Sequence, residues 1–210
     1  MKTNSFIFSL ATATLAIAQS DEPYYNVTSK PFNLFVTSED GAVNSSLGAC
    51  HVGAALESLC LSASNSISKP DPGDAAVFNF NTSIYSQAPE PTFGVPGILT
   101  WILHGFDFNA SSSVYFSYVP TDDIVLPILQ AGSSNPQLLA FDTQDKLNIQ
   151  GFIGRTVQPP TPGTYSEIYR WYACQTYFAS YLYVNLAWKL GTGKPENPSC
   201  VAVNVTRTFI

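Results

Sequence analysis

Apolar and polar residues alternate along several short segments of the chain. The clearest alternation runs from Tyr181 to Leu190, with Leu186 and Trp188 on one face and Tyr183 on the other. A period of two is typical of a β-strand that has one face on a core and one toward water. Shorter alternating or apolar segments occur at residues 32–36, 76–81, 98–103, 114–118, 124–129 and 201–205. Together these segments predict an all-β chain.

Turn-forming residues separate the predicted strands. Leu138–Phe141 and Lys146–Ile149 flank a short acidic turn and predict a hairpin. Residues 86–96 hold three prolines and therefore cannot form a central strand. Residues 54–59 are expected to form one helical turn. The fold class predicted is a single-domain β-sandwich or closed β-barrel of about nine short antiparallel strands, with at most one short helix.

Residues 1–18 have the layout of a secretory signal peptide. Lys2 gives the positive start, an apolar run follows, and Ala16-Ile17-Ala18 is a small-residue cleavage pattern. The run is shorter than the ~20 residues that a membrane-spanning helix needs, and no later stretch qualifies. We expect a secreted, extracellular protein without a membrane span, with a polar lead at residues 19–31 and one β domain at residues 32–210.

Four cysteines in an exported chain predict two disulfides. Three connectivities are possible, and the sequence alone does not choose among them. The spacing favours Cys50–Cys60 as a local link and Cys174–Cys200 as a link across the closing strands. A zinc site is the rival interpretation, but the chain has only two histidines and no C-x-x-C pair. We therefore expect no metal and no other cofactor.

The chain carries five N-x-[ST] sequons. A single sequon has little weight, because asparagine, serine and threonine are common in turns. Several sequons behind a signal peptide favour a glycoprotein of the eukaryotic secretory route. The predicted glycosylation sites are Asn26, Asn44, Asn81, Asn109 and Asn204.

The charge balance restricts the partners. Nine lysines and arginines stand against fifteen aspartates and glutamates, for a formal net charge of −6. An acidic chain with no basic run repels phosphate backbones, so we expect no nucleic-acid partner.

No established catalytic pattern is present. The chain has no G-x-S-x-G motif, and any histidine-dependent mechanism must use His51 or His104. The candidate carboxylate pairs are Asp122-Asp123 and the two acids of the 142–145 turn. A glycosidase needs two carboxylates facing each other across a sugar, whereas acids at turns usually bond the backbone. We therefore predict no catalytic residues, and a hydrolase that uses a carboxylate pair is the open alternative.

Aromatic residues are dense between Tyr165 and Trp188. Rings exposed on a sheet can stack on the apolar faces of sugars. Tyr181 and Tyr183, opposite the leucines of their strand, are the candidate ligand-binding residues. The alternative, which we favour, is a second packed layer that buries this face as well.

Five motifs carry a resemblance that spans residues 47–200. They are L-G-A-C-H-x-G-A-A-x-E-x-L-C (47–60), G-x-L-T-W (97–101), F-D-x-x-D-K-L (141–147), W-Y-x-C-x-T-Y (171–177) and L-A-W-x-L-G-x-G-x-P-x-N-P-x-C (186–200). They resemble a family of small secreted four-cysteine proteins of filamentous ascomycete fungi that has no established activity. A looser likeness, in the cysteine arrangement alone, is to the PhiA-like fungal cell wall proteins. Both resemblances imply a fungal secreted or wall-associated protein without known catalytic residues.

The function predicted is that of a secreted, N-glycosylated, non-enzymatic extracellular protein. It is expected to be wall-associated or to act like an effector, with a cell wall polysaccharide or a host or other extracellular protein as partner. The alternative is a carbohydrate-binding module that uses an exposed aromatic face.

Overall fold

The protein is described from a computed structural model. The structure describes residues 25–62, 75–133, 135–154 and 157–210, and this part of the chain contains fifteen strands and no helix. The strands are β1 (Val27–Thr28), β2 (Phe32–Thr37), β3 (Asn44–Gly53), β4 (Leu56–Leu61), β5 (Phe78–Thr82), β6 (Gly97–His104), β7 (Asn109–Ser117), β8 (Ile124–Ala131), β9 (Leu138–Phe141), β10 (Leu147–Gly154), β11 (Thr161–Ile168), β12 (Trp171–Phe178), β13 (Tyr181–Lys189), β14 (Val201–Ala202) and β15 (Asn204–Phe209). The predicted signal peptide lies outside the described residues.

Eight strands form a closed antiparallel barrel in the order β2, β3, β4, β13, β8, β7, β6 and β5. The ring closes because β5 pairs with β2, where Phe78 lies opposite Phe32, and also with β6, where Phe78 lies opposite Trp101. The all-β prediction is confirmed, and the barrel is the form that the domain takes. The predicted number of about nine strands is too low.

Seven further strands extend the barrel. β12 runs along β13 and carries β14, β15 runs along β2, and β1 pairs with β5. β9, β10 and β11 continue outward from β6. A bridge between Lys146 and Thr206 connects the β9–β10 turn to β15. Val27 and Thr28, which belong to the predicted polar lead, are paired into the sheet as β1.

The core consists of two clusters on opposite faces of shared strands. On β8, Val125 and Leu129 belong to the larger cluster, whereas Ile124, Leu126 and Ile128 belong to the smaller one. The larger cluster draws on all eight barrel strands and on β9, β10, β12 and β15. The smaller cluster lies among β3, β4, β8 and the β12–β13 hairpin. Strands covered on both faces give no amphipathic pattern in the sequence.

Both disulfides have the pairing that the spacing favours. Cys50 on β3 is bonded to Cys60 on β4, and Cys174 on β12 is bonded to Cys200, which directly precedes β14. The chain separations are 10 and 26 residues. Closing a loop of this size stabilises a fold by roughly 3 kcal/mol through the unfolded state.

The helical turn predicted for residues 54–59 is wrong. β3 and β4 form a hairpin in which Gly53 lies opposite Leu56, and Ala55 turns the chain with a φ of 56°. The sequence of β4 looks helical because five of its six residues are buried, so that no alternation remains. The missing alternation reflects cover on both faces of a strand, where even Glu57 and Ser58 are buried, and not a helical stripe.

Glu57 is a buried acid on β4, on the same face as Leu59 and Leu61. It is 5% exposed, its Oε2 has no hydrogen-bond partner in the described part of the chain, and burial raises the pKa of its carboxyl above 4.5. A pKa that is higher in the folded than in the unfolded protein means that the fold favours the protonated acid. Stability is therefore lost as the pH rises from about 4.5 through the folded pKa.

We expect Glu57→Gln to raise Tm at pH 7 by a few degrees and to have little effect at pH 4, because the amide removes the ionisation and keeps the shape. Thermal unfolding between pH 4 and pH 8 measures the difference. Glu39→Gln, at an exposed turn, is the matched control. A Tm difference between Glu57→Gln and wild type that is the same at every pH would show that ionisation of Glu57 does not destabilise the fold.

Candidate functional site

Tyr181 and Tyr183 do not form an exposed binding face. Tyr183 is 3% exposed, and its hydroxyl donates to the carbonyl oxygen of His51 at 3.1 Å. The two tyrosine rings lie parallel, with centroids 6.2 Å apart, and Tyr181 meets the His51 ring edge-on at 5.5 Å. Burial, with the neighbouring Tyr181, raises the pKa of the Tyr183 phenol. A ligand-binding role for Tyr183 would need an exposed ring, whereas this face is packed against β3, in line with the second packed layer that the sequence favours.

Tyr177 is the exposed ring of the same hairpin. It lies opposite Leu182 in the β12–β13 register, so it projects from the other face, and it is 71% exposed. Alternation along β13 does not reveal Tyr177, because this residue lies on the neighbouring strand β12. The signal that could have found Tyr177 is its position opposite Leu182 in the β12–β13 pair.

A cleft of about 230 Å³ opens beside Tyr177, between β12, the β7–β8 turn and the loop before β14. We call it the Tyr177 cleft. Its floor is apolar and its rim is polar. The floor includes Ile124, Leu126 and Phe178, and the rim includes Asp122, Gln175 and Asn197.

The rim of the Tyr177 cleft is held by the fold. Asn197 Nδ2 donates to the Gln175 carbonyl oxygen at 2.9 Å, and the Gln175 amide nitrogen donates to Ser199 Oγ at 2.9 Å. The Cys174–Cys200 disulfide ties the same loop to β12. The Gln175 side-chain amide itself makes no hydrogen bond within the described residues. The planar Tyr177 ring, the Gln175 side-chain amide and the apolar floor can together receive a pyranose ring.

A second cleft, of about 400 Å³, contains Arg207. The Arg207 guanidinium carbon lies 4.3 Å from the centre of the Phe141 ring and 4.9 Å from that of Phe209, and Nε donates to Asp145 Oδ1 at 2.7 Å. Its charge is therefore used within the protein, to hold β15 against the β9–β10 turn. We assign this cleft a structural role.

The acids of the 142–145 turn are bonded within the fold. Asp142 Oδ1 accepts hydrogen bonds from the amides of Gln144 and Lys146, both at 2.8 Å. Asp142 Oδ2 accepts from the Tyr169 hydroxyl at 2.7 Å, and Glu167 Oε2 lies 3.1 Å from that hydroxyl. Burial and the two acids raise the pKa of Tyr169 strongly. Asp142 thus has the turn-forming role expected for acids at such positions.

The other predicted carboxylate pair is also divided between structural roles. Asp122 Oδ1 accepts from the amide of Ile124 at 3.1 Å, which shapes the start of β8. Asp123 Oδ2 lies 3.1 Å from the Nζ of Lys189, whose side chain is 7% exposed. A buried ammonium needs such a partner, so Asp123 serves to neutralise Lys189.

The two histidines lie in strand-end environments. Asn109 Oδ1 accepts a hydrogen bond from His104 Nδ1 at 2.8 Å, at the end of the β6–β7 hairpin. His51 is exposed on β3 and packs against Tyr181. Over the described ranges, no group of three or more histidine, cysteine, aspartate or glutamate residues could hold a metal ion.

The sequon asparagines differ in exposure. Asn26, Asn44, Asn109 and Asn204 are exposed. Asn81 is half-buried, and its Oδ1 accepts from Thr100 Oγ1 at 3.5 Å. Four of the five predicted glycosylation sites therefore leave room for a glycan at the asparagine.

The fold and its clefts define a small all-β protein with a closed barrel and two disulfides. The described residues include no helix of the length and apolarity needed to cross a membrane. The chain belongs to the family described as a domain of unknown function, DUF7907, which matches residues 29–209. Comparison with curated proteins and with solved structures found no match.

Proposed function

We propose that the protein is a secreted, N-glycosylated, non-enzymatic protein of the fungal cell surface that binds wall polysaccharide through the Tyr177 cleft. The observation that carries the proposal is the Tyr177 ring, 71% exposed at the rim of a cleft that also presents the Gln175 amide. An exposed aromatic ring beside a concave apolar floor with convergent polar groups is an arrangement that ligand sites commonly present.

Several features support the extracellular part of the proposal. Two disulfides with no free cysteine suit an oxidising compartment. Four sequon asparagines are exposed, and the resemblance to small secreted fungal proteins agrees with both features. The carboxylates favour a non-enzymatic role, because Asp142 and Asp123 are engaged in a turn and an ion pair.

The test is retention of the glycosylated protein on insoluble chitin, β-glucan and whole fungal wall, with cellulose as the control polymer. We expect saturable retention on one wall polymer. Tyr177→Ala should weaken it about tenfold, since ring stacking contributes about 0.5–1.5 kcal/mol beyond buried area. Tm should change by only about 1 °C, because an exposed substitution alters stability by less than about 0.5 kcal/mol.

Two variants make the test specific. Tyr177→Trp keeps a planar ring and should keep binding. Tyr85→Ala removes a ring of the same exposure, 71%, that does not line the Tyr177 cleft, and should leave binding unchanged. Equal retention of wild type and Tyr177→Ala would refute the site. Absence of retention on every polymer would refute polysaccharide binding and favour an extracellular protein partner.

A further inference from the structure

The tip of the β6–β7 hairpin exposes two phenylalanines. Phe106 is completely exposed, at 107%, and Phe108 is 55% exposed. The tip is well formed: the Gly105 amide donates to the Phe108 carbonyl oxygen at 2.8 Å, and His104 pairs with Asn109. Phenylalanine has no polar group to bond water, so a group that covers this bare ring would remove apolar surface from water.

A predicted glycosylation site lies in the same turn. Asn109 is exposed and stands three residues after Phe106, in the sequon Asn109-Ala110-Ser111. Its Oδ1 accepts the hydrogen bond from His104 Nδ1 at 2.8 Å. This bond fixes the side-chain amide and leaves Nδ2, the atom that would carry a glycan, without a hydrogen bond in the described part of the chain.

We propose that Asn109 carries an N-glycan whose first N-acetylglucosamine packs on the Phe106 ring. The ring C–H groups of one face of a pyranose are apolar and slightly positive, and they match the negative face of an aromatic ring. The inference rests on the secretion and glycosylation in the proposed function, but it does not depend on polysaccharide binding. It gives the exposed Phe106 a covalently attached partner in place of an external one.

Phe108 has a different role at the same tip. A Cβ on Gly105 would lie 2.3 Å from the Phe108 ring, so this ring lies directly against the glycine. Phe108 therefore shapes the turn, whereas Phe106 is the ring that the sugar would reach. Truncation of Phe108 should therefore disturb the turn, whereas truncation of Phe106 should remove only the contact with the sugar.

The test is a double-mutant cycle in protein from a eukaryotic secretory host. Ser111→Ala removes the sequon but keeps Asn109 and its bond to His104. We expect Ser111→Ala to lower Tm by about 2 °C in the wild-type background and to have almost no effect in the Phe106→Ala background. Trimming with an endoglycosidase that leaves one N-acetylglucosamine should preserve the wild-type Tm.

The control is the Asn26 sequon. Thr28→Ala removes it at a residue that is also exposed, and its effect on Tm should be the same with and without Phe106→Ala. Peptide mass spectrometry decides occupancy. An unmodified Asn109 beside an occupied Asn26 would overturn this inference alone, and additive effects of Ser111→Ala and Phe106→Ala would overturn the stacking. No glycan on any sequon would refute the glycosylation that the proposed function includes.

Discussion

Replacing Trp171 with alanine is expected to lower the free energy of unfolding by about 3–5 kcal/mol. Trp171 is 2% exposed on β12, in the larger core cluster. Its ring centroid lies 4.8 Å from that of Trp188 and 6.3 Å from that of Phe116. Its Nε1 donates to the Leu147 carbonyl oxygen at 2.8 Å. Alanine would leave a large cavity in this group and an unsatisfied carbonyl on β10.

Urea unfolding followed by circular dichroism measures the loss. A loss of this size is a large part of the 5–15 kcal/mol that stabilises a typical domain, and it corresponds to a fall in Tm of about 10 °C or more. Trp171→Phe keeps a ring in the group and loses the indole N–H, so it should cost about 1–2 kcal/mol. A loss below about 1.5 kcal/mol for Trp171→Ala would mean that the neighbouring rings collapse into the cavity.

The sequence predicts strands where buried and exposed positions alternate, and also where a short apolar run is bounded by turns, as on β8. Residues 32–36 and the hairpin around Asp142 are placed correctly, because their buried and exposed positions alternate or their turn residues are distinctive. β12 was not predicted as a strand. Trp171 and Ala173 enter the larger cluster while Cys174 enters the smaller one, so the segment has no polar face to reveal its period.

The candidate site depends on long-range pairing that a local pattern does not contain. Alternation along β13 correctly separates Leu186 and Trp188 from Tyr183 and Ala187. It does not tell which face meets water. That is decided by tertiary contacts: β13 lies between β4 and β8, and its tyrosine face meets His51 on β3. The polar rim of the Tyr177 cleft likewise comes from segments distant in sequence.

The two disulfides could be inferred because each links residues that are near in sequence. Cys50 and Cys60 are on adjacent strands of one hairpin, and only one strand and a loop separate Cys174 from Cys200. Closing a short loop costs less chain entropy than closing a long one, so the spacing of the cysteines along the chain helps to predict which of them pair. By contrast, nothing in the local sequence around Gly94 indicates that its backbone contacts Phe141 on β9.

Gly94→Ala is expected to destabilise the protein by about 3 kcal/mol or more, through backbone overlap and not through lost burial. A Cβ at Gly94 would lie 1.8 Å from the carbonyl oxygen of Phe141 and 2.7 Å from its carbonyl carbon. The backbone of β9 cannot yield easily, because Phe141 pairs with Leu147 on β10. The loop must therefore move away, which also breaks the 2.7 Å hydrogen bond from Gln150 Nε2 to the Gly94 carbonyl oxygen.

The matched control for Gly94→Ala is Gly151→Ala on β10. The nearest atom to a Cβ there is Ile168 Cδ1 at 3.6 Å, an ordinary contact, so we expect a change within about 1 kcal/mol. Urea unfolding of both variants against wild type measures the contrast. Equal, small effects would show that the loop can lift from β9 at little cost. A large loss for Gly94→Ala alone would establish that this contact, invisible in the sequence, holds the loop at residues 91–96 against β9.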